Sequence, residues 1–417
     1  MRSKVAWLLG RLTRKIWIRV VAFAALAIVA VGVAKLLAPY VPPAWAARIG
    51  ADAVEKILSI LATSMLAVTT FSLSIAVSAF SAAASTATPR ATALLQEDRT
   101  TQNVLATFLG AFLFSLLGLI ALRTEVYDEA GKMVLFLATL AVVALVVIAL
   151  LGWIVHLMAF GRMGNTLDRV EAAASDSLAR RLAAPCLGGC RSGGAAPAGA
   201  TAVTADAVGY VQHVDVPALA DCAERFAAEF HLAALPGSFV HHTAALLHVA
   251  GAAPDDEQAR LLRAAFTLGH ERTFDQDPRF GLIVLSEIAS RALSPAVNDP
   301  GTAISVIGRL VRVLSAWTAQ ADIEVEFPRI HVPPLRADDV IEDAFRPIAR
   351  DGAALIEVQI RLNKALAALA AVGDGGLREA TAALAGYALE RAREAGLAEA
   401  ELEAIRRCSV AHGERAD

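Results

Sequence analysis

The sequence is poor in cysteine, with four in 417 residues. These residues are too few and too scattered for a disulfide framework, and unpaired cysteines suit a reducing compartment. Cys186 and Cys190 have CxxxC spacing, but a metal site needs two more ligands nearby and the sequence offers none there. The sequence therefore predicts no metal site.

The chain also lacks an excess of basic charge. Its net charge is −3, which gives no overall basic field, so nucleic acid is not expected as a partner. Charged residues make up only 19% and hydrophobic residues 56%, and the mean hydropathy is +0.53. Soluble domains are usually less apolar and more charged. Because the apolar excess is concentrated before residue 160, we expect a membrane part joined to a soluble part.

Four apolar runs are long enough to cross the hydrocarbon core, which needs about 20 residues in a helix. They lie at about 16–38, 57–80, 104–122 and 133–160. The first is too long for the apolar region of a signal peptide and has no clean cleavage site after it, so it is predicted to be retained. Residues 1–160 are therefore predicted to form a transmembrane domain whose first partner is the lipid bilayer.

Basic residues on both sides of this domain predict its orientation. The segment before the first span carries Lys and Arg without any acid, and four arginines follow the last span: Arg162, Arg169, Arg180 and Arg181. Both ends should therefore be cytoplasmic. Richness in Ala and Arg with little Lys is typical of a GC-rich bacterial genome. The expected location is a multi-pass position in a bacterial inner membrane.

The second predicted span carries small and hydroxyl side chains at helical spacing, so that they form one stripe. Its hydroxyl members are Ser59, Thr63, Thr70, Ser74, Ser78 and Ser81, with Ala67 between them. One interpretation is helix packing, because small residues let backbones approach. The other is the polar lining of a pore or substrate path in a homo-oligomer.

No span has a strongly buried acidic or basic residue near its middle, which argues against a proton-coupled transporter. His156, near the inner end of the fourth span, is the one candidate. An interfacial position is the better interpretation of this residue. The charged loop around Asp98, between the second and third spans, is interpreted as a cytoplasmic elbow.

The remaining chain predicts a juxtamembrane helix and flexible linker at 161–200, a small α+β module at 201–250 and a mainly helical cytoplasmic domain at 251–417. The module should contain a strand at 209–214 and an amphipathic helix at 216–230. Five histidines lie in or near it: His213, His231, His241, His242 and His248. No HxH or carboxylate pair frames them, so they are interpreted as ordinary strand or surface residues.

The stretch "ASRALSPAVNDPGTAISV" joins two helical patterns, 280–293 and one beginning at Pro300. Asn298 or Asp299 can cap the second helix, with Pro300 in its first turn, so the stretch can be a structural corner. It can also be a ligand or interface site, because charges of both signs surround it. The candidate residues are Arg272, Asp275, Asp277, Arg279, Glu287, Arg291, Ser294, Asn298 and Asp299.

Several stretches resemble a family of bacterial predicted membrane proteins, the domain-of-unknown-function family 2254. They are "TPRATALLQEDRTTQNVLATFLGAFLFSLLGL", "GYVQHVD", "PGSFV" and "ERTFDQDPRFGLIVLSEIASRALSPAVNDPGTA". The resemblance implies a four-span membrane half followed by a cytoplasmic half, and no activity, cofactor or substrate. Ser238 and His241-His242 replace a Gly-Asp-rich turn of the family pattern, which weakens any inference of a ligand there.

The sequence thus predicts four transmembrane α-helices, a cytoplasmic α+β module and a mainly helical C-terminal region. The leading hypothesis is an oligomeric, channel-like protein with a cytoplasmic domain that responds to a small ligand or ion. The alternative is a membrane-anchored sensor or scaffold without conduction. An enzyme would need Glu287, Asp299 or a histidine to converge in a pocket, and no catalytic residue or cofactor is predicted.

Overall fold

A computed structural model describes residues 51–96, 98–124, 129–159, 162–194, 196–317 and 325–409, with isolated residues between 18 and 33. The chain divides into two compact units, one within 8–166 and the other at 167–417. We call them the membrane unit and the soluble unit. The first predicted span, 16–38, lies outside the described residues apart from those isolated positions.

Three long apolar helices form the described part of the membrane unit. They are α1 (Ala51–Thr86), α3 (Arg99–Arg123) and α4 (Glu129–Ala159), with the short α2 (Pro89–Gln96) between the first two. Apolar stretches of 33, 25 and 29 residues within α1, α3 and α4 are long enough to cross a membrane. They coincide with the second, third and fourth predicted spans.

The three helices pack through two apolar clusters. One contains Leu58, Phe114 and Leu135, and the other contains Phe108 and Trp153. The chain breaks after α1 as Pro89 predicts, since proline is best placed in the first turn of a helix and α2 begins there.

Two sheets form the centre of the soluble unit. The five-stranded sheet has the order β1-β8-β4-β6-β2, and the three-stranded sheet has the order β5-β3-β7. The strands are β1 (Gly189–Arg191), β2 (Thr201–Thr204), β3 (Gly209–Val214), β4 (Glu229–Leu232), β5 (Phe239–Val240), β6 (Ala245–Ala250), β7 (Phe266–Gly269) and β8 (Phe327–Val332). Strand β8 runs parallel to both β1 and β4, and the other pairs are antiparallel.

Nine helices complete the part of the soluble unit that the structure describes. They are α5 (Met163–Ala183, which enters from the membrane unit), α6 (Val216–Arg225), α7 (Asp256–Ala264), α8 (Phe280–Ala292), α9 (Pro300–Leu314), α10 (Ala337–Asp351), α11 (Ile356–Val372), α12 (Gly375–Glu394) and α13 (Glu399–Cys408). The α+β region and the helical C-terminal region therefore match the expectation. The boundary predicted at 250/251 falls between β6 and α7, inside this one unit.

Helix α6 shows how local sequence positions an element. Asp215 caps it by accepting a hydrogen bond from the Ala218 N–H. Val216 and Leu219 of the predicted apolar face are fully buried, whereas Cys222 and Phe226 of the same face are partly buried. The helix ends at Arg225, before the predicted end at residue 230. Ala227 takes a left-handed φ of 49°, which turns the chain into β4.

An ion-pair cluster joins α5 to α9. Arg309 contacts Asp168 at 2.7 Å and Glu171 at 2.5 Å, and Arg312 contacts Glu171 at 2.6 Å. The hydrogen bond from Arg312, followed by that from Arg309, holds the pKa of Glu171 below its usual value, although partial burial opposes the shift.

Candidate functional site

In the corner between α8 and α9, the polar groups form hydrogen bonds with residues of the same turn. The Ser294 hydroxyl donates to the Arg291 carbonyl, and the Asn298 N–H donates to the Ser294 carbonyl at 2.9 Å, with Asn298 in the left-handed region at φ 49°. Asp299 accepts hydrogen bonds from the Thr302 N–H at 3.0 Å and hydroxyl at 2.6 Å. These hydrogen bonds hold the pKa of Asp299 below its usual value. Residues 295–299 are exposed, so the corner has the form of a capped surface turn.

A buried ion pair lies just before the N-terminus of α8. The Asp277 carboxylate, 2% exposed, accepts hydrogen bonds from Arg272 Nε at 2.7 Å and Nη2 at 3.0 Å. It also accepts from the backbone N–H groups of Arg279 and Phe280, which start α8. Burial raises the pKa of Asp277, and the hydrogen bonds of Arg272 and of the two N–H groups oppose that shift.

The segment around this pair is tied to three neighbouring elements. On α5, Ser177 donates to the Asp277 carbonyl at 2.8 Å and Arg180 donates to the Asp275 carbonyl at 2.9 Å. Arg279 binds Asp339 and Asp343 on α10. At Gly237, which has φ 94°, an added Cβ would lie 2.4 Å from the Asp277 carboxylate. The segment is therefore a structural junction of the soluble unit.

The nine candidate residues lie at different positions before, within and after α8. Four lie before the helix, at 272–279, and Ser294, Asn298 and Asp299 lie after it. A helix of 13 residues spans about 20 Å, so the two groups are at opposite ends. Glu287 and Arg291 lie within or at the end of α8 and are partly buried. The structure brings Arg272, Asp277 and Arg279 together and separates them from the corner.

Arg181 on α5 was not identified as a site residue from the sequence. It is 4% exposed, and its Nη2 donates to the Pro333 carbonyl at 3.3 Å. Burial lowers the pKa of Arg181 to about 10, although nearby Cys186 and Asp277 oppose the shift. Sequence analysis used Arg181 only as one of the arginines that indicate a cytoplasmic end, because its contact with the β8–α10 connection joins residues far apart in the chain.

A cluster of metal-ligating side chains lies on the five-stranded sheet. The ligating atoms of Glu229, His231 and His331 all lie within 4.8 Å of one another. Burial, followed by the influence of His331, lowers the pKa of His231, which favours the neutral imidazole that binds metals. Sequence analysis treated His231 as an ordinary strand residue, because nothing local to it indicates that a strand 100 residues later will lie beside it.

The other histidines near the module are placed differently. His213 is buried in β3, and His241 and His242 are exposed between β5 and β6. His248 lies on β6, partly exposed and paired in register with His231.

The stripe of the second predicted span lies on the exposed face of α1. All its members are exposed: Ser59, Thr63, Ala67, Thr70, Ser74, Ser78 and Ser81. Successive residues of a helix are rotated by about 100° around its axis. The centre of the stripe therefore lies about 170° around the axis from the packed face that contains Leu58 and Met65. Thr63, Thr70 and Ser74 each donate their hydroxyl to the carbonyl four residues earlier. Within the described part of the chain, the stripe is therefore not a surface on which α1 packs against another helix.

His156 belongs to a polar cluster inside the membrane unit. Its Nε2 lies 2.9 Å from a carboxylate oxygen of Asp98, and the side chains are 15% and 5% exposed. Asp98 also caps α3 by accepting from the Thr101 N–H at 2.8 Å. Sequence analysis gave His156 an interfacial position and Asp98 a place in a charged elbow, and it did not identify their contact.

Comparison with known proteins gives a family but no activity. A family model described as "Predicted membrane protein (DUF2254)" matches residues 13–368. An uncharacterized protein of Mycobacterium tuberculosis is 33% identical over 243 residues, which are 53% of this chain and 44% of that protein. An uncharacterized protein of Mycobacterium bovis is 32% identical over 241 residues, with the same coverage. The match thus spans less than half the length of these relatives. No solved structure gives a significant match.

Proposed function

The chain belongs to the DUF2254 family of predicted membrane proteins, and from this premise we propose that it is a channel-like membrane protein that self-associates through α1. The observation that carries the proposal is the exposed polar stripe of α1, on the side of the helix away from its packed face. A lipid-facing helix surface gains nothing from hydroxyl groups, whereas a helix–helix interface gains close approach and a conducting path gains polar atoms.

The proposed topology has four spans in a bacterial inner membrane, with both ends and the soluble unit in the cytoplasm. The basic residues that flank the predicted membrane domain support this orientation. In this arrangement several copies place their α1 stripes around a common axis, and the soluble unit responds to a small ligand or ion.

Ion flux through the full-length protein in liposomes tests the proposal, with K⁺ and Cl⁻ measured separately. Ser74→Leu adds an apolar branched side chain in the middle of the stripe and is expected to reduce flux at least about tenfold, which corresponds to about 1.4 kcal/mol in barrier height. The matched control is Ser64→Leu, the same substitution at an exposed position of α1 outside the stripe. Flux in folded Ser74→Leu equal to that of Ser64→Leu would contradict a conducting stripe.

Cross-linking separates self-association from conduction. In a background with the four native cysteines replaced by serine, Ser74→Cys is expected to form an intermolecular disulfide in the bilayer, and Ser64→Cys is not. If Ser74→Cys cross-links but no flux is measured under varied voltage, tension and pH, the stripe is an interface between copies and the channel hypothesis is contradicted.

The second candidate is a membrane-anchored sensor without conduction. The observation that favours it is the group formed by Glu229, His231 and His331 on the soluble unit, which offers ligand-binding chemistry independent of the spans. This candidate predicts no flux in any variant and a conformational response when the soluble unit takes up a ligand.

A further inference from the structure

Three histidines form a row across neighbouring strands of the five-stranded sheet. His231 on β4 pairs in register with His331 on β8 and with His248 on β6. Glu229 precedes His231 by two residues, so its side chain lies on the same face. The opposite face carries fully buried core residues such as Phe230 and Ile330. The row therefore lies on the polar face, held by strands whose other side is anchored in the core.

The side chains of this row are already close together. The rings of His231 and His331 are stacked, with centroids 4.2 Å apart and planes 6° from parallel. His331 Nε2 lies 3.2 Å from a Glu229 carboxylate oxygen. One ligating atom from each of Glu229, His231 and His331 falls within 4.8 Å of the other two. A single ion can therefore reach all three after small side-chain rotations.

His231 has unused bonding capacity. Both its ring nitrogens are shielded from solvent, and neither has a hydrogen-bond partner among the described residues. Most shielded polar atoms in proteins have such a partner, and one without it carries a desolvation cost. A bound ion accepts the lone pair of one nitrogen and removes part of that cost.

We propose that Glu229, His231 and His331 bind a divalent transition-metal ion. Two imidazoles and a carboxylate suit Zn²⁺ and related first-row ions, whereas Mg²⁺ and Ca²⁺ prefer oxygen ligands alone. Since metal–nitrogen bonds to Zn²⁺ are about 2.0–2.1 Å long, the parallel rings have to tilt so that their nitrogens converge. The fourth position is left for water or for His248.

This ion joins strands that are far apart in the sequence. β4 ends at Leu232 and β8 begins at Phe327, so the ion closes a long loop that contains α7, α8 and α9. Binding to the folded state alone stabilises that state by mass action, and the site gives the soluble unit a ligand to which its stability responds. The inference holds whether or not the membrane unit conducts ions.

The test is a Zn²⁺ titration of full-length protein in detergent, stripped with a chelator, against a chromophoric zinc competitor. We expect one saturable site per chain. His231→Ala is expected to weaken binding at least about 100-fold, because even the loss of an outer-shell partner typically costs 10–100-fold. The matched control is His242→Ala, which removes an exposed histidine of the same unit outside the row and should bind as the wild type does.

A second variant distinguishes a loss of metal binding from a folding defect. Glu229→Gln changes an exposed side chain with little change in shape and is expected to weaken binding at least about tenfold while the circular dichroism stays unchanged. At the same Zn²⁺ concentration, the thermal unfolding temperature should rise more in the wild type than in Glu229→Gln, because weaker binding stabilises the folded state less. X-ray absorption should show at least two imidazole ligands, and a third if His248 occupies the fourth position. Absence of a saturable site, or wild-type affinity in His231→Ala and Glu229→Gln, overturns the proposal.

Discussion

Replacement of Asp277 by Asn tests whether the buried ion pair holds the soluble unit together. The substitution keeps the size of the side chain and an oxygen that can accept the N–H groups at the start of α8. It removes the negative charge that pairs with Arg272. Because the Asp277 carboxylate is 2% exposed, water has little access to the point where the two charges meet, and the Arg272 guanidinium loses its charged partner beside the Phe280 ring.

The expected cost is about 3 kcal/mol in the free energy of opening. Removal of one partner from a buried pair typically costs about 3–5 kcal/mol. The lower end applies here because the Arg272 side chain is 20% exposed and can move toward water. Asp277→Ala also removes the acceptor for the two N–H groups and should cost about 1 kcal/mol more, the usual cost of a lost helix cap.

Hydrogen–deuterium exchange of the full-length protein in detergent measures this cost locally, since slow exchange reports the free energy of opening. Peptides that cover α8 should lose protection by about 150-fold in Asp277→Asn, because each factor of ten corresponds to 1.36 kcal/mol. The control is Asp338→Asn, which breaks an exposed pair with Arg336 in the same unit and should change protection little. Similar protection in the two variants would refute the assigned role of Asp277.

Two further predictions concern packing and pH. Gly281→Ala should destabilise the soluble unit by about 1–3 kcal/mol in denaturant unfolding, because the new Cβ would lie 2.5 Å from the Cβ of Ala174. The control is Gly386→Ala, whose new Cβ meets no atom within 4 Å. This control should stabilise the helix by up to about 1 kcal/mol. Glu171 has a folded-state pKa below its unfolded value, so its contribution to stability is complete above the unfolded pKa of about 4.3 and is lost as the pH falls through the folded value. Glu171→Gln should therefore flatten the decline of the unfolding temperature over that acidic range, and an unchanged decline would argue against the ion pair with Arg312.

Local patterns in the sequence predicted many elements of the structure. Helix α9 begins at Pro300 with Asp299 as its cap, and the apolar runs that predicted the second, third and fourth spans form α1, α3 and α4. Caps, prolines and apolar periodicity act over a few residues, so they can be interpreted without knowledge of the fold. The end of α6 was missed because it depends on a left-handed alanine, which has no strong local signal.

The amino-acid sequence by itself determined the apolar helices, the division into an apolar and a polar half, and the family resemblance. The tertiary structure decided which polar residues meet. It placed His331 beside His231, Arg272 and Asp277 at one end of α8 with Ser294–Asp299 at the other, and the α1 stripe on an exposed face. The physical reason is that strand pairing and helix packing join residues far apart in the chain. These contacts arise from the burial of the whole core, and no short stretch of sequence encodes them.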